Sequence, residues 1–161
     1  MPPPAFYLET SVWGSLAPRQ TRDRKRAVQR LLRMLDGVRG TCVISRVVVA
    51  EVLAADPEYS RPIIEELESV MPDILPITSE VEALARAYIQ SGALPSRRQT
   101  DALHVAVATF FQFDYLVSWN HRHMTRPMKR VQYETVNRLQ GYLHTPVICN
   151  PFEACDELRH R

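Results

Sequence analysis

The chain has 161 residues, 45% hydrophobic and 24% charged, which suits one globular domain with its own core and excludes a disordered chain. A net charge of only +2 gives no overall electrostatic sign of nucleic-acid binding. No apolar run reaches the roughly 20 residues that a membrane span needs, and the first residues lack the features of a signal peptide. We therefore expect a single cytoplasmic domain over residues 1–161, with a core from about 5 to 153 and no membrane contact.

Short apolar runs alternate with helical patterns along the chain. The first half predicts strand 5–9, helix 25–38, strand 41–44, helix 47–55 and helix 62–70. The second half predicts strand 74–77, helix 78–89, helix 100–108, strand 115–117, helix 131–143 and strand 146–148. This alternation predicts an α/β fold whose central, mainly parallel sheet of four to five strands is covered by helices on both faces. Pro76 places the third strand at an edge of that sheet.

Three acidic residues occupy unusual places in this pattern. Glu9 directly follows the first strand, Glu51 stands alone among apolar residues, and Asp101 opens a largely apolar helix. Each has a purely structural explanation when taken singly. Glu9 suits a loop or a helix start, Glu51 an ion pair with an arginine such as Arg46, and Asp101 a favourable helix dipole.

Taken together, the three acids predict a shared site. Ligands of an open parallel sheet bind outside the carboxyl ends of its strands, which is where Glu9 and the first turn of the Asp101 helix are expected. Converging carboxylates repel one another unless a cation neutralises them, and oxygen ligands, including the amide of Asn120 after the fourth strand, suit Mg²⁺ or Mn²⁺. His104 lies three residues after Asp101 and is either a neighbour of this site or a satisfied core histidine.

Basic residues form two groups. Seven lie between Arg19 and Arg33 with Asp23 as the one acid among them, and a second group comprises Arg122, Arg126, Lys129 and Arg130. Each group is either a phosphate-binding surface or the solvated face of a helix. The candidate contacts to substrate phosphates are Arg46, Arg97, Arg98, Arg122 and His123.

Four short segments, in this order, resemble the PIN-domain nucleases, and especially the VapC-type toxin ribonucleases of type II toxin-antitoxin systems. They are residues 7–12, 49–52, 100–106 and 115–123, with 151–153 similar to the closing turn of that family. The resemblance implies a three-layer α/β/α PIN-like fold and a Mg²⁺- or Mn²⁺-dependent site. The residues that it implies as catalytic metal ligands are Glu9, Glu51, Asp101 and Asn120, with Ser11 supporting the first acid.

The same resemblance implies a function and its partners. We expect a metal-dependent endoribonuclease, the toxin of a toxin-antitoxin pair, with an RNA substrate, a small antitoxin protein and a possible homodimer. Glu9 and Asn120 stand where the family more often has Asp, and the lost negative charge at Asn120 predicts weaker metal binding. The alternatives are a non-catalytic PIN-like scaffold that binds RNA or protein, and a PIN nuclease directed at DNA.

Overall fold

A single parallel sheet forms the centre of the protein. The computed structural model describes residues 4–36, 42–120, 124 and 126–160. The strands are β1 (Phe6–Leu8), β2 (Cys42–Ser45), β3 (Asp73–Leu75), β4 (Tyr115–Val117) and β5 (Val147–Cys149). Their order is β3-β2-β1-β4-β5 and every pairing is parallel. The predicted α/β fold with a sheet of four to five strands is confirmed, as is the edge position of the third strand.

Helices cover both faces of this sheet. They are α1 (Thr10–Gly14), α2 (Arg22–Leu35), α3 (Arg46–Ala54), α4 (Pro57–Val70), α5 (Ser79–Gln90), α6 (Gln99–Phe110), α7 (Pro127–Leu139) and α8 (Pro151–Arg159). Helices α1 to α4 and α8 enclose one hydrophobic core, whereas α5 to α7 enclose another. The architecture is therefore three-layered, as predicted. Within the described ranges, no helix has the length and apolar character that crossing a bilayer requires.

The central strand β1 shows how the sequence produces two cores. Phe6 and Leu8 point into the core beneath α2, while Tyr7 points into the core beneath α5 and α6. All three side chains are fully buried. Successive side chains of a strand alternate between faces, so a strand covered on both sides must be apolar throughout. This is why a continuous apolar run, rather than an alternating one, marks β1.

Proline positions account for the largest differences from the predicted helix boundaries. Helix α4 starts at Pro57 instead of 62, because Asp56 caps it by accepting from the Glu58 amide at 2.9 Å. Helix α7 spans 127–139 instead of 131–143. A proline suits the first helical turn, where its missing N–H has no partner to lose. The final helix also extends beyond the predicted core limit of 153, to Arg159.

Candidate active site

The strand order reverses between β1 and β4, and the candidate site lies at the carboxyl ends of these two strands. From the central strand, chain order runs outward through β2 to β3 on one side and through β4 to β5 on the other. Glu9 follows β1 directly, and its backbone N–H donates to the carbonyl of Val117 at 3.2 Å. A switch point of this kind leaves a crevice at the sheet edge where ligands bind.

Glu9 is buried at this edge, with only 3% of its surface exposed. It is the N-cap of α1, and its Oε1 accepts from the backbone N–H of Ser11 at 3.1 Å and from the Ser11 hydroxyl. Burial raises the pKa of the Glu9 carboxyl, although the neighbouring His104 ring and the hydrogen bonds from Ser11 act in the opposite direction. The sequence predicted both the acid and its supporting serine, and the structure places them in contact.

Glu51 projects from α3 towards α1. Its Oε1 accepts from the hydroxyl of Thr10 at 2.5 Å and lies 3.0 Å from Nε2 of His104. Burial acts to raise the pKa of Glu51, but the hydrogen bonds from His104 and Thr10 hold it below its ordinary value. Although Glu51 stands alone among apolar residues in the sequence, its side chain is only partly buried, with 39% of its surface exposed. The partner is His104 rather than Arg46, which is exposed at the first residue of α3.

A chain of buried hydrogen bonds fixes the orientation of His104. The backbone N–H of Val47 donates to the Ser45 hydroxyl at 3.2 Å, Ser45 lies 2.8 Å from the Tyr7 hydroxyl, and Tyr7 lies 2.7 Å from Nδ1 of His104. Every hydrogen bond in this chain has one donor and one acceptor if the Ser45 hydroxyl donates to the Tyr7 hydroxyl and the Tyr7 hydroxyl donates to Nδ1 of His104. Nε2 then carries the proton and donates to Glu51. We assign His104 to this Nε2–H tautomer because it satisfies every group in the chain.

The sequence left open whether His104 is a neighbour of the acidic site or a satisfied core histidine, and the structure shows that it is both. It is 1% exposed and satisfied within the core, and its Nε2 also lies 4.0 Å from Oε2 of Glu9. Apolar neighbours on α6 show that this helix is buried, but they carry no information about a partner 53 positions away. A histidine three residues after an acid was the available signal, because residues at this spacing share one helix face.

Asp101, the third predicted acid, does not join the other two. Its Oδ2 lies 3.4 Å from Nη1 of Arg98, and the Asp101 side chain is 13% exposed. Asp101 and His104 lie one turn apart on α6. Among the residues that the structure describes, no three His, Cys, Asp or Glu side chains form a group able to hold a metal ion. The structure therefore unites Glu9 and Glu51 around His104 and leaves Asp101 one turn away.

The structure describes two of the remaining predicted site residues, Asn120 and Arg97. Asn120 is exposed, and its backbone N–H donates to the Ser118 hydroxyl at 2.9 Å. Arg97 is exposed in the 3₁₀ turn Ser96–Arg98 that precedes α6. Two of the predicted phosphate contacts, Arg122 and His123, lie outside the described residues.

Tyr59 is a site neighbour that the sequence did not reveal. It comes from α4, and burial raises the pKa of its hydroxyl, with further contributions from the negative charges of Glu9 and Glu51. A tyrosine on an amphipathic helix gives no sign of the group it faces, so only the packing of α4 against α1 could identify it. A Cβ added to Gly14 of α1 would collide with the Tyr59 hydroxyl.

This close approach predicts the effect of replacing Gly14. We expect Gly14→Ala to lower the free energy of unfolding by about 1–3 kcal/mol, the usual cost of overfilling a packed region. Removing the hydroxyl in Tyr59→Phe should rescue most of that loss, because the ring carbon behind it lies 3.5 Å from the added Cβ. Urea unfolding of both single variants and the double variant measures this coupling. Additive losses would show that Tyr59 is not the obstacle.

The buried chain from Ser45 to His104 gives a second prediction. Tyr7→Phe removes the group between Ser45 and Nδ1 of His104, and we expect a loss of about 1–3 kcal/mol, because both neighbours are left without a partner. The ¹⁵N chemical shifts of the His104 ring should also change from those of a single Nε2–H tautomer. An unchanged ring spectrum would contradict the assigned direction of the chain.

A scan against protein-family models and a search of curated proteins both found no match to the chain.

Proposed function

We propose that the protein is a metal-dependent endoribonuclease that hydrolyses RNA phosphodiester bonds at the carboxyl edge of its sheet. One observation carries the proposal: Glu9 and Glu51, which are 42 positions apart in the chain, meet around His104 at the switch point between β1 and β4. Like charges raise the cost of ionising each other, so a bound cation would stabilise the two carboxylates.

The donor atoms at this edge suit Mg²⁺ or Mn²⁺. Carboxylate oxygens of Glu9 and Glu51 are hard ligands, and buried Glu9 retains a cost of ionisation that a bound cation would remove. Asp101 would be the third carboxylate ligand, and it would exchange its 3.4 Å contact with Arg98 for the cation. When bound, such a cation supplies Lewis-acid activation of a water molecule and of the phosphodiester.

The protein's own side chains have defined tasks in this proposal. Ser11 holds Glu9, while Thr10 and the Nε2–H of His104 hold Glu51, so both carboxylates are oriented before a ligand arrives. Preorganised ligands of this kind are the part of metal-ion catalysis that a protein contributes. In this proposal the amide of Asn120, which is exposed beside β4, would orient water or substrate.

The toxin assignment and its partners belong to the same proposal. A small antitoxin would cover the carboxyl edge and neutralise Glu9, Glu51 and Asp101, and two copies of the chain would form a homodimer. The support is the resemblance of the four short segments to VapC-type toxins, together with the α/β/α fold that this resemblance implied. The proposal places the activity in the cytoplasm.

Cleavage of a labelled RNA tests the enzyme. We expect fragments in the presence of Mn²⁺ or Mg²⁺ and none in EDTA. Hydrolysis by activated water does not use the ribose 2′-hydroxyl, so the products should carry no 2′,3′-cyclic phosphate. Cyclic phosphate ends, or equal cleavage in EDTA, would overturn the metal mechanism and indicate metal-independent attack by the ribose 2′-hydroxyl.

A second candidate is a PIN-like scaffold that binds RNA or protein without catalysis. The ion pair between Asp101 and Arg98 favours it, because a third carboxylate that is held by an arginine leaves only two acids together. Calorimetry with Mn²⁺ separates the two functions. Heat of binding that disappears in Glu51→Gln supports the nuclease, whereas absence of binding at millimolar Mn²⁺ supports the scaffold.

A further inference from the structure

Helix α2 carries an exposed row of basic side chains without acidic partners. Its basic residues are Arg22, Arg24, Lys25, Arg26, Arg30 and Arg33, all of them exposed, and its one acid is Asp23. None of the ion pairs in the described part of the chain involves this helix. A helix that is merely solvated usually alternates charges that pair at three- and four-residue spacings. The one-sided charge of α2 therefore indicates an anionic ligand.

A groove separates α2 from α8, and its free charges come from α2. The groove has a volume of about 330 Å³, and its lining includes two arginines, Arg26 and Arg30, two acids, Asp23 and Asp156, and the ring of Phe152. The acids of α8 are already engaged. They are Glu153, which caps its own helix by accepting from the Asn150 amide, Asp156, which pairs with Arg159 at 3.4 Å, and Glu157, which accepts from the Tyr115 hydroxyl. Arg26 and Arg30 form no ion pair with the acids that the structure describes, so they are available to a polyanion, with Asp23 as the one acid of α2 beside them.

Two aromatic side chains stand at the carboxyl-edge end of this groove. Phe152, in the first turn of α8, is 49% exposed and packs edge-on against Trp119, with ring centroids 5.5 Å apart. The guanidinium of Arg24 lies over the Trp119 ring, 4.8 Å from its centroid. An exposed aromatic face beside arginines is the combination on which proteins stack the bases of single-stranded nucleic acid.

Trp119 connects these aromatics to the acidic site. Its backbone N–H donates to the Ser11 hydroxyl at 2.9 Å, and Ser11 in turn donates to Glu9. Its indole N–H donates to the Ser15 hydroxyl at 2.6 Å. The aromatic pair is therefore held rigidly beside α1, at the edge where Glu9 and Glu51 meet.

We propose that the groove between α2 and α8 binds the single-stranded RNA that flanks the cleavage point. In this arrangement a base stacks on Phe152, Arg24 supports Trp119 behind it, and Arg26 and Arg30 bind successive phosphates. The inference rests on the proposed function for its claim that the strand continues to the acids. The binding claim itself is independent of catalysis and is tested without it.

Binding is measured by fluorescence anisotropy with a labelled oligouridine of about 12 nucleotides. The assay contains EDTA and uses the Glu51→Gln background, so that the RNA stays intact. Reversing two charges in Arg26→Glu/Arg30→Glu should weaken binding at least about tenfold and reduce the slope of log K against log salt by about 1.4, or about 0.7 per lost phosphate contact. The matched control is Arg86→Glu/Arg138→Glu, which makes the same charge change at exposed positions on the opposite face and should alter Kd less than about twofold.

Phe152 is tested separately from the charges. Phe152→Ala should weaken binding about tenfold without changing the salt slope, because stacking releases no counterions. Leu139→Ala, which removes another exposed apolar side chain from α7 on the opposite face, should leave Kd unchanged.

Several outcomes would overturn the proposal that the groove binds single-stranded RNA. Equal weakening by both charge-reversal pairs would show that RNA responds only to net charge, and full affinity in Arg26→Glu/Arg30→Glu would show that these two arginines do not bind RNA. Tighter binding of the matching DNA would overturn the assignment to RNA. These results distinguish failure of RNA binding in the groove from failure of the nuclease. If the groove variants lose RNA binding and the wild type does not cleave RNA, only the binding proposal is supported. If metal-dependent cleavage is unchanged in the groove variants, only the nuclease proposal is supported.

Discussion

Glu51→Gln and Asp101→Asn should each reduce metal-dependent RNA cleavage by at least about 100-fold, the scale on which losing one preorganised charged or polar group lowers kcat. Gln at position 51 keeps an oxygen that accepts from Thr10 and His104, and Asn at 101 keeps one that faces Arg98. Both variants should therefore fold and lose only the negative charge. Initial rates of cleavage with Mn²⁺, together with thermal unfolding of each variant, make the measurement.

Asp73→Asn is the matched control for these substitutions. Asp73 is exposed at the first residue of β3, so it lies at the amino ends of the strands, whereas the acids lie at their carboxyl ends. Loss of its charge should therefore leave the rate of cleavage unchanged. A normal rate in Asp101→Asn alone would remove Asp101 from the site and leave the pair of Glu9 and Glu51. Normal rates in both variants would contradict the proposed nuclease.

Glu9→Gln should abolish cleavage and yet stabilise the fold at neutral and alkaline pH. Burial raises the pKa of Glu9, so the folded protein holds this proton more tightly than the unfolded chain does. The resulting contribution to stability is complete below the ordinary pKa and is lost as the pH rises through the raised one. Gln needs no ionisation and keeps an oxygen for the Ser11 amide. We expect its Tm at pH 8 to exceed that of the wild type by at least about 2 °C.

The pH dependence of this difference is the decisive measurement. The gain in Tm should shrink as the pH falls towards 4, where the wild-type carboxyl is itself protonated. Glu9→Asp serves as the control, because it keeps an acid at the N-cap and should show no comparable gain. Added Mn²⁺ should stabilise the wild type and not Glu9→Gln, since only a ligand of the folded state shifts unfolding. A lower Tm for Glu9→Gln at pH 8 would show that the buried carboxylate stabilises the fold as an anion.

The sheet was predictable because buried parallel strands have a simple signature. Continuous apolar runs such as Phe6–Leu8 and Tyr115–Val117 are needed wherever both faces are covered, and the helices between them repeat at a different period. Helix α1 was not predicted, because its five residues are too few to show a helical repeat of apolar positions. Helix α7 was displaced because its apolar pattern identifies a buried face, whereas Pro127 determines where the helix starts.

The sequence predicted the position of a site residue only where that residue directly follows a strand. Glu9 was placed correctly because a parallel strand delivers whatever follows it to the carboxyl edge. Glu51 was identified by its isolation among apolar residues, but its partner depended on how α3 and α6 pack, which no local pattern encodes. The same limit applies to Tyr59, whose approach to the acids is a property of two helices in contact.

The hydrogen bond between Tyr7 and His104 joins residues 97 positions apart in the chain. It forms only after α6 has docked beneath β1, and the contacts of His104 with Glu51 and Glu9 depend on the same event. Closing a loop of this length is a late and entropically costly step of folding. A nascent chain that has not yet emerged beyond α6 therefore holds its two glutamates without the histidine that orients them. The ribosome synthesising this protein would be shielded from the proposed activity until the second half of the chain had been made.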